Sequence, residues 1–356
     1  MNDGARRALL LVLLVAGSWL SSATSVGAAR NRVELASSDR RGRAVGTDDF
    51  LPPSLDRSGR YLLFRSEADA IVPSDLDGQW DLFRKDVATG RVEQISVGVV
   101  GPAYHGDISA NGRFVAFYAD RTYVRDVRRG VTIVVDEGQP HTVDAPAVSD
   151  DGAVVAFRDG TSLYVADRTT GPTQRTSVGN GTFFDLTPEG RWIVFDERDG
   201  SGARIIRLDR RTGARTTVYD GPGGDGTGPV FPSSNADGSV ISFTLLEALT
   251  KAHAFVWDRG VLETISDAPL SAAGQVSDDG RHVVLFEALD FDAEPGDLLV
   301  LDRRRRTILP IGRADNAWGI SLSCDGSAVS WTTRAALAAG DGNEVSDVYV
   351  TRVGRP

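Results

Sequence analysis

One short phrase recurs along this 356-residue chain. It reads SANGRFVAF at 109–117, SDDGAVVAF at 149–157 and SDDGRHVVLF at 277–286. Its glycine returns at Gly59, Gly112, Gly152, Gly190, Gly238, Gly280 and Gly326, at intervals of 38 to 53 residues. A period of this length marks a repeat architecture such as a propeller, in which each unit is one small sheet.

The positions around the glycine explain the unit. Three residues before it stand Asp56, Ser109, Ser149, Thr187, Asn235, Ser277 and Ser323, all with a short side-chain oxygen that can start a turn. The glycine supplies the positive φ of a tight reversal. Three residues after it stand Leu62, Val115, Val155, Ile193, Ile241, Val283 and Val329. Five after stand Phe64, Phe117, Phe157, Phe195, Phe243, Leu285 and Trp331. Alternate apolar positions mean a strand with one buried face. Small residues between them (Ala116, Ala156, Ser242, Ser330) imply that the other face is covered too. A third run closes on Asp86, Asp126, Asp167, Asp209, Asp258 or Asp302, and a turn and a fourth β-like run follow. Each unit is expected to hold four antiparallel strands.

The seventh unit stops after its third run, DVYVTRVGRP. The segment RVELAS at 32–37 nearly repeats the fourth run RVEQIS at 91–96. The expectation is an all-β, seven-bladed β-propeller, with the last blade closed by the N-terminal strand. Closure removes the sheet edges that would otherwise invite aggregation.

These units resemble the WD40-like (PD40) propeller repeat of the TolB type, which reads roughly Ser-x-Asp-Gly-Arg-x-Val-Ala-Phe followed by Asp-hydrophobic-Tyr-Val-x-Asp. The resemblance runs from about residue 32 to 353. It implies a rigid exported platform that binds other proteins. The chain is expected to lack the extra N-terminal domain of TolB, so TolB's own partner sites are not carried over.

Residues 1–29 carry Arg6 and Arg7, an apolar core from Ala8 to about Leu20, and small residues at 26–29. That is the tripartite pattern of a secretory signal peptide, with an uncleaved anchor as the rival reading. Residues 30–356 then form a single propeller domain, exported to the periplasm, cell envelope or medium of a bacterium. The one cysteine, Cys324, allows no internal disulfide. The net charge of −10 argues against nucleic acid and anionic membranes as partners.

In such blades the Asp-Gly turns share one face with little variation, and the other face carries variable loops, where function more often resides. Three candidates lie there. Asp75-x-Asp77-x-x-x-Asp81 recurs as Asp341-x-Asn343-x-x-x-Asp347, a spacing of oxygens that suits a hard cation such as Ca²⁺, although neither copy has the full calcium-loop signature. The competing reading is that these residues cap turns. His105 and His141 fall in neighbouring inter-blade loops and are candidate metal or catalytic groups, or plain surface histidines. Tyr104, Asp107, Phe184, Asp185, Phe231 and Trp318 form a candidate rim of aromatics beside acids. The leading expectation is a monomeric, non-enzymatic binding module that needs no cofactor, for an envelope or extracellular protein or a glycan. The alternative is a polysaccharide lyase or hydrolase working at the channel mouth.

Overall fold

The computed structural model describes residues 32–354, except positions 40, 48–51, 70, 74, 76, 137–145, 161, 170–172, 200, 201, 225, 249, 250, 290–294, 317 and 318. The signal-like segment therefore lies outside the described residues. Among the described residues every regular element is a strand.

The strands form a β-propeller of four-stranded antiparallel blades. The first repeat gives β2 (Ser54–Leu55), β3 (Tyr61–Ser66), β4 (Asp81–Asp86) and β5 (Val92–Gln94), paired in that order. The second gives β6 (Gly106–Ile108) to β9 (Val131–Asp136), the third β10 (Ala147–Val148) to β13 (Gln174–Gly179), and the fourth β14 (Phe184–Leu186) to β17 (Arg215–Gly221). The last sheet joins β26 (Ile320–Leu322), β27 (Ala328–Thr333) and β28 (Asp347–Arg352) to β1 (Glu34–Leu35), with Glu34 opposite Val350 and Leu35 opposite Tyr349. The N-terminal strand thus completes the C-terminal sheet.

The separation expected between the repeats at Gly238 and Gly280 is only partial. Five sheets stand alone with four strands each, while these two repeats run into one eight-stranded sheet. Its halves are β18 (Gly228–Ser234) to β21 (Val261–Thr264) and β22 (Leu270–Val276) to β25 (Thr307–Ala314). They are joined by a single parallel pairing, Ala252 with Leu270. Their inner strands are longer than the others, which brings backbone from neighbouring units within pairing reach.

The turn chemistry follows the sequence closely. In all seven turns the glycine N–H donates to the carbonyl of the residue three before it. The side-chain oxygen of that residue also accepts the N–H five positions on, as in Phe114 to Ser109 (3.0 Å) and Val240 to Asn235 (2.8 Å). A second requirement is invisible in one repeat alone. At Gly152 (φ +70°) an added Cβ would lie 2.4 Å from the Phe114 ring of the preceding repeat. The same contact recurs between Gly112 and Tyr61, Gly190 and Val154, Gly238 and Trp192, Gly280 and Val240, and Gly326 and His282. It closes between Gly59 and Ala328, the first and last repeats.

The apolar core sits between blades. Each cluster draws on neighbours, as where Val154, Ala156 and Val165 meet Leu186, Ile193 and Phe195. The +3 residues Leu62, Val115, Val155, Ile193, Ile241, Val283 and Val329 are all fully buried. The closing aspartates pair with the arginine after the motif glycine: Arg60 with Asp86, Arg113 with Asp126, Arg191 with Asp209 and Arg281 with Asp302. Where that arginine is missing (Ala153, Ser239), the next blade supplies one, Arg210 to Asp167 and Arg303 to Asp258.

Two predictions follow from these contacts. Gly152→Ala should destabilise by ~2 kcal/mol or more, from strain plus the blocked Phe114 contact. Gly90→Ala, at φ +71° with open space around it, should cost only about 1 kcal/mol of backbone strain; denaturant midpoints measure both. Asp209 and Asp302 are held down to about 2, chiefly by hydrogen bonds from Arg191 and Arg281. Their folded values lie below the unfolded carboxylate range near ~4, so this stabilisation is complete above that range and fades as pH falls through about 2. Arg281→Ala should therefore lower the melting temperature at pH 7, and its deficit should vanish toward pH 2.

Candidate functional site

The inner strands β2, β6, β10, β14, β18, β22 and β26 surround the propeller axis. Asp107 and Asp185, expected at the rim, sit within β6 and β14 and line the channel wall. They belong to a repeating clasp. A polar side chain two residues before the turn oxygen accepts the backbone N–H of the next blade's inner strand. Ser54 takes Ile108 N–H (3.3 Å), Asp107 takes Val148 N–H (3.3 Å), Asp185 takes Ser234 N–H (2.7 Å), Ser233 takes Val276 N–H (3.3 Å) and Gln275 takes Leu322 N–H (2.7 Å). These amides face the channel, where no sheet partner exists, so the clasp satisfies groups that would otherwise be orphaned. Asp107 also accepts the Ser54 hydroxyl at 2.8 Å. Burial pushes the Asp107 carboxyl up to about 7 and raises that of Asp185. Hydrogen bonds to both oppose the rise, and the Asp185 charge adds to it at Asp107.

At the turn end of the channel Arg57 reaches across the axis. It pairs with Asp278 from the sixth repeat and lies 3.6 Å from Asp150 of the third. Burial lifts Asp278 to about 6 despite Arg57, and burial likewise pushes the Cys324 thiol up beside them. Sequence reasoning treated this face as plain scaffold. The signal lay in the slot two before the motif glycine, which changes chemical character from repeat to repeat (Arg57, Ala110, Asp150, Pro188, Ala236, Asp278, Cys324) while its neighbours all keep a polar side-chain oxygen.

The loop end is aromatic. The Arg65 guanidinium lies 4.1 Å from the Trp80 ring centroid and 5.2 Å from that of Tyr104. Its Nε donates to Ala103 O at 3.0 Å, which holds it in place. Tyr104 packs against Tyr118 with ring centroids 5.9 Å apart. All three rings keep an intermediate exposure. His105 points inward instead, against a cavity of about 10 Å³ lined by Pro52, Pro53, Leu63, Leu82 and Val348. Both its ring nitrogens are buried without a hydrogen bond, and burial lowers its pKa to about 4, so the ring is neutral at pH 7. It is not a surface histidine. Phe231 packs on Phe183 (4.1 Å between centroids) and takes φ +54° at a bulge in β18, a costly backbone for an aromatic residue. Phe184 begins β14. His141 and Trp318 lie outside the described residues.

The carboxylates of the first acidic turn lie close together. One carboxylate oxygen from each of Asp75, Asp77 and Asp81 lies within 4.8 Å of the others. Asp75 and Asp81 are buried and Asp77 is exposed. Burial, then the charges of Asp81 and Asp77, push Asp75 up to about 6. In the matching turn Asp347 is buried and Asp341 accepts the Tyr349 hydroxyl. The Asn343 side chain lies beside the Asp347 carboxyl and opposes the rise that burial causes there.

No protein-family model matches the chain, and no curated protein sequence matches it. Solved structures resemble it in fold. An oligogalacturonate lyase in complex with manganese superposes with a TM-score of 0.61 at 14% identity, covering 91% of this chain and 96% of that one. The β-propeller domain of Cps50 (Swd1) from Myceliophteria thermophila gives 0.57 at 12%, over 91% and 100%. TolB from Acinetobacter baumannii gives 0.48 at 13%, over 91% and 97%. At such identities the likeness is one of fold. Among the described residues no helix is long and apolar enough to cross a membrane.

The channel acids make a pH prediction. The folded value of Asp107 lies above the unfolded range near ~4, so its favourable contribution is full below that range and declines as pH rises through about 7. Asn at this position keeps an acceptor for Val148 and gains a donor for Ser54. Asp107→Asn should therefore be more stable than the parent at pH 8, by about 1 kcal/mol, with the gain shrinking toward pH 4 in denaturant titrations.

Proposed function

We propose that this chain is an exported, non-catalytic binding propeller of seven blades, the eight-stranded sheet counting as two. The cyclic series of glycine contacts, which returns from Ala328 to Gly59, supports that count. The partner is an envelope or extracellular protein or a glycan, taken at the loop face around Trp80, Tyr104 and Tyr118. One contrast carries this reading: the channel's acids and amides are spent on bonds between blades, whereas the aromatic cluster keeps half-exposed rings on a fixed cation. Aromatic side chains held rigidly on a rim give large contact area at little entropic cost. The TolB-like propeller repeat is the frame for this role, and fold alone does not choose the ligand.

The second reading, a polysaccharide lyase or hydrolase, draws on His105, a neutral imidazole with two unused nitrogens near the loop face. The oligogalacturonate lyase shares the fold, and its activity belongs to that protein.

A crosslinking pull-down of the mature chain against envelope and secreted fractions tests the proposal. The expected result is a saturable partner whose capture falls at least ~10-fold in Trp80→Ala and Tyr104→Ala, as for anchors at the centre of an interface. Turnover of a uronate-containing glycan that disappears in His105→Ala would replace the binding reading with the enzymatic one.

A further inference from the structure

Two turns at the loop face, one in the first repeat and one in the last, are built to the same plan. Asp81 opens β4 and Asp347 opens β28, each as the first residue of a third strand. Each carboxylate accepts a serine hydroxyl from the end of the adjoining fourth run, Ser96 for Asp81 and Ser37 for Asp347. The same serines then accept the next strand amide, Leu82 N–H at 3.1 Å and Val348 N–H at 2.8 Å. The serine hydroxyl thus fixes one carboxylate oxygen in each turn.

The other oxygen is left with work to do. At Asp347, which is 0% exposed, Oδ1 takes Ser37 and the Gly46 N–H (3.2 Å). Oδ2 is buried and has no hydrogen bond. An ionised carboxylate in that state is costly unless a positive charge meets it. Neither Asp347 nor Asp75 forms an ion pair among the described residues. In the first turn the acids crowd instead of separating, with three carboxylate oxygens inside 4.8 Å. Three oxygens each ~2.3–2.6 Å from one ion fall within about twice that distance of each other, so the cluster fits a calcium-sized cation.

We propose that these two turns are paired divalent-cation sites of calcium type. Asp75, Asp77 and Asp81 are the protein ligands of one; Asp341, Asn343 and Asp347 are those of the other. All six donors are hard oxygens, and the open side at exposed Asp77 leaves room for the waters calcium retains. Asp341 is steadied by the Tyr349 hydroxyl, which is a donor and does not compete for the ion. Asp347 also holds Ser37, just after the N-terminal strand that completes the last sheet, so an ion there would fasten the ring closure as well.

The test is calcium titrated calorimetrically into the chelator-stripped mature chain, with terbium luminescence as a second readout. Trp80, three residues after Asp77, serves as the sensitiser. The expected stoichiometry is two ions. Asp77→Ala should weaken one site at least tenfold and remove the Trp80-sensitised signal; Asp341→Ala should weaken the other. Asp77 is exposed, so Asp77→Ala should melt like the parent in chelator. Asp341→Ala also strips the buried Tyr349 hydroxyl of its acceptor, so Asp341→Asn, which keeps one, is the variant that should weaken the second site without lowering the melting temperature in chelator. No saturable binding at millimolar calcium overturns the proposal, as does a stoichiometry of two that survives both substitutions. A single site lost only with Asp77→Ala overturns the assignment in the last repeat.

Discussion

The rest of this structure depends on one steric contact, the motif glycine lying under the strand of the preceding blade. The turn needs a positive φ, and the neighbour's Phe114, Tyr61 or Trp192 needs the space where a Cβ would be. Both demands fall on one residue, so no other amino acid serves. Repeated around the axis, the contact sets the spacing between blades. The apolar clusters then form in the gaps, where the +3 and +5 residues of one repeat meet the intervening +4 residue of its neighbour, as Ile193 and Phe195 meet Ala156. The channel clasps form on the inner edge because that spacing brings each next amide into reach of a side chain.

Much of this was legible in the sequence because it repeats. A single SDDG phrase would have been an ordinary turn; seven in phase required one architecture. The turn oxygens, the buried +3 residues and the borrowed N-terminal strand all stand where the pattern put them. What the pattern did not expose depends on relations between repeats. The substitution of Arg210 for the missing arginine at Ala153 is one example, since the partner comes from the next blade. The joining of two repeats through Ala252 and Leu270 is another, because strand length, not motif identity, controls it.

The candidate site was read less fully, for the same reason. Asp107 and Asp185 were visible as acids near aromatics, but their place in the wall follows from strand register, which a motif does not give. Trp80 and Arg65 escaped notice because each looks like a strand or loop residue until the stacking of Arg65 between Trp80 and Tyr104 joins them. Arg57, Asp278 and Cys324 were hidden in a turn face that seemed uniform. The acidic turns were visible from spacing alone, since their side-chain oxygens are close in sequence.

These relations describe a ring that spends its interior polarity on holding itself together and keeps half-exposed aromatic rings at its loop face. Hydrogen exchange at the channel amides tests that division most directly. If the clasps are structural, the N–H groups of Ile108, Val148, Ser234, Val276 and Leu322 should exchange as one slow set, through global unfolding, although they face the channel and not a sheet partner. If these amides exchange as fast as those of the loop face, the clasps do not hold the blades. The channel acids would then be free to act on a ligand, contrary to this account.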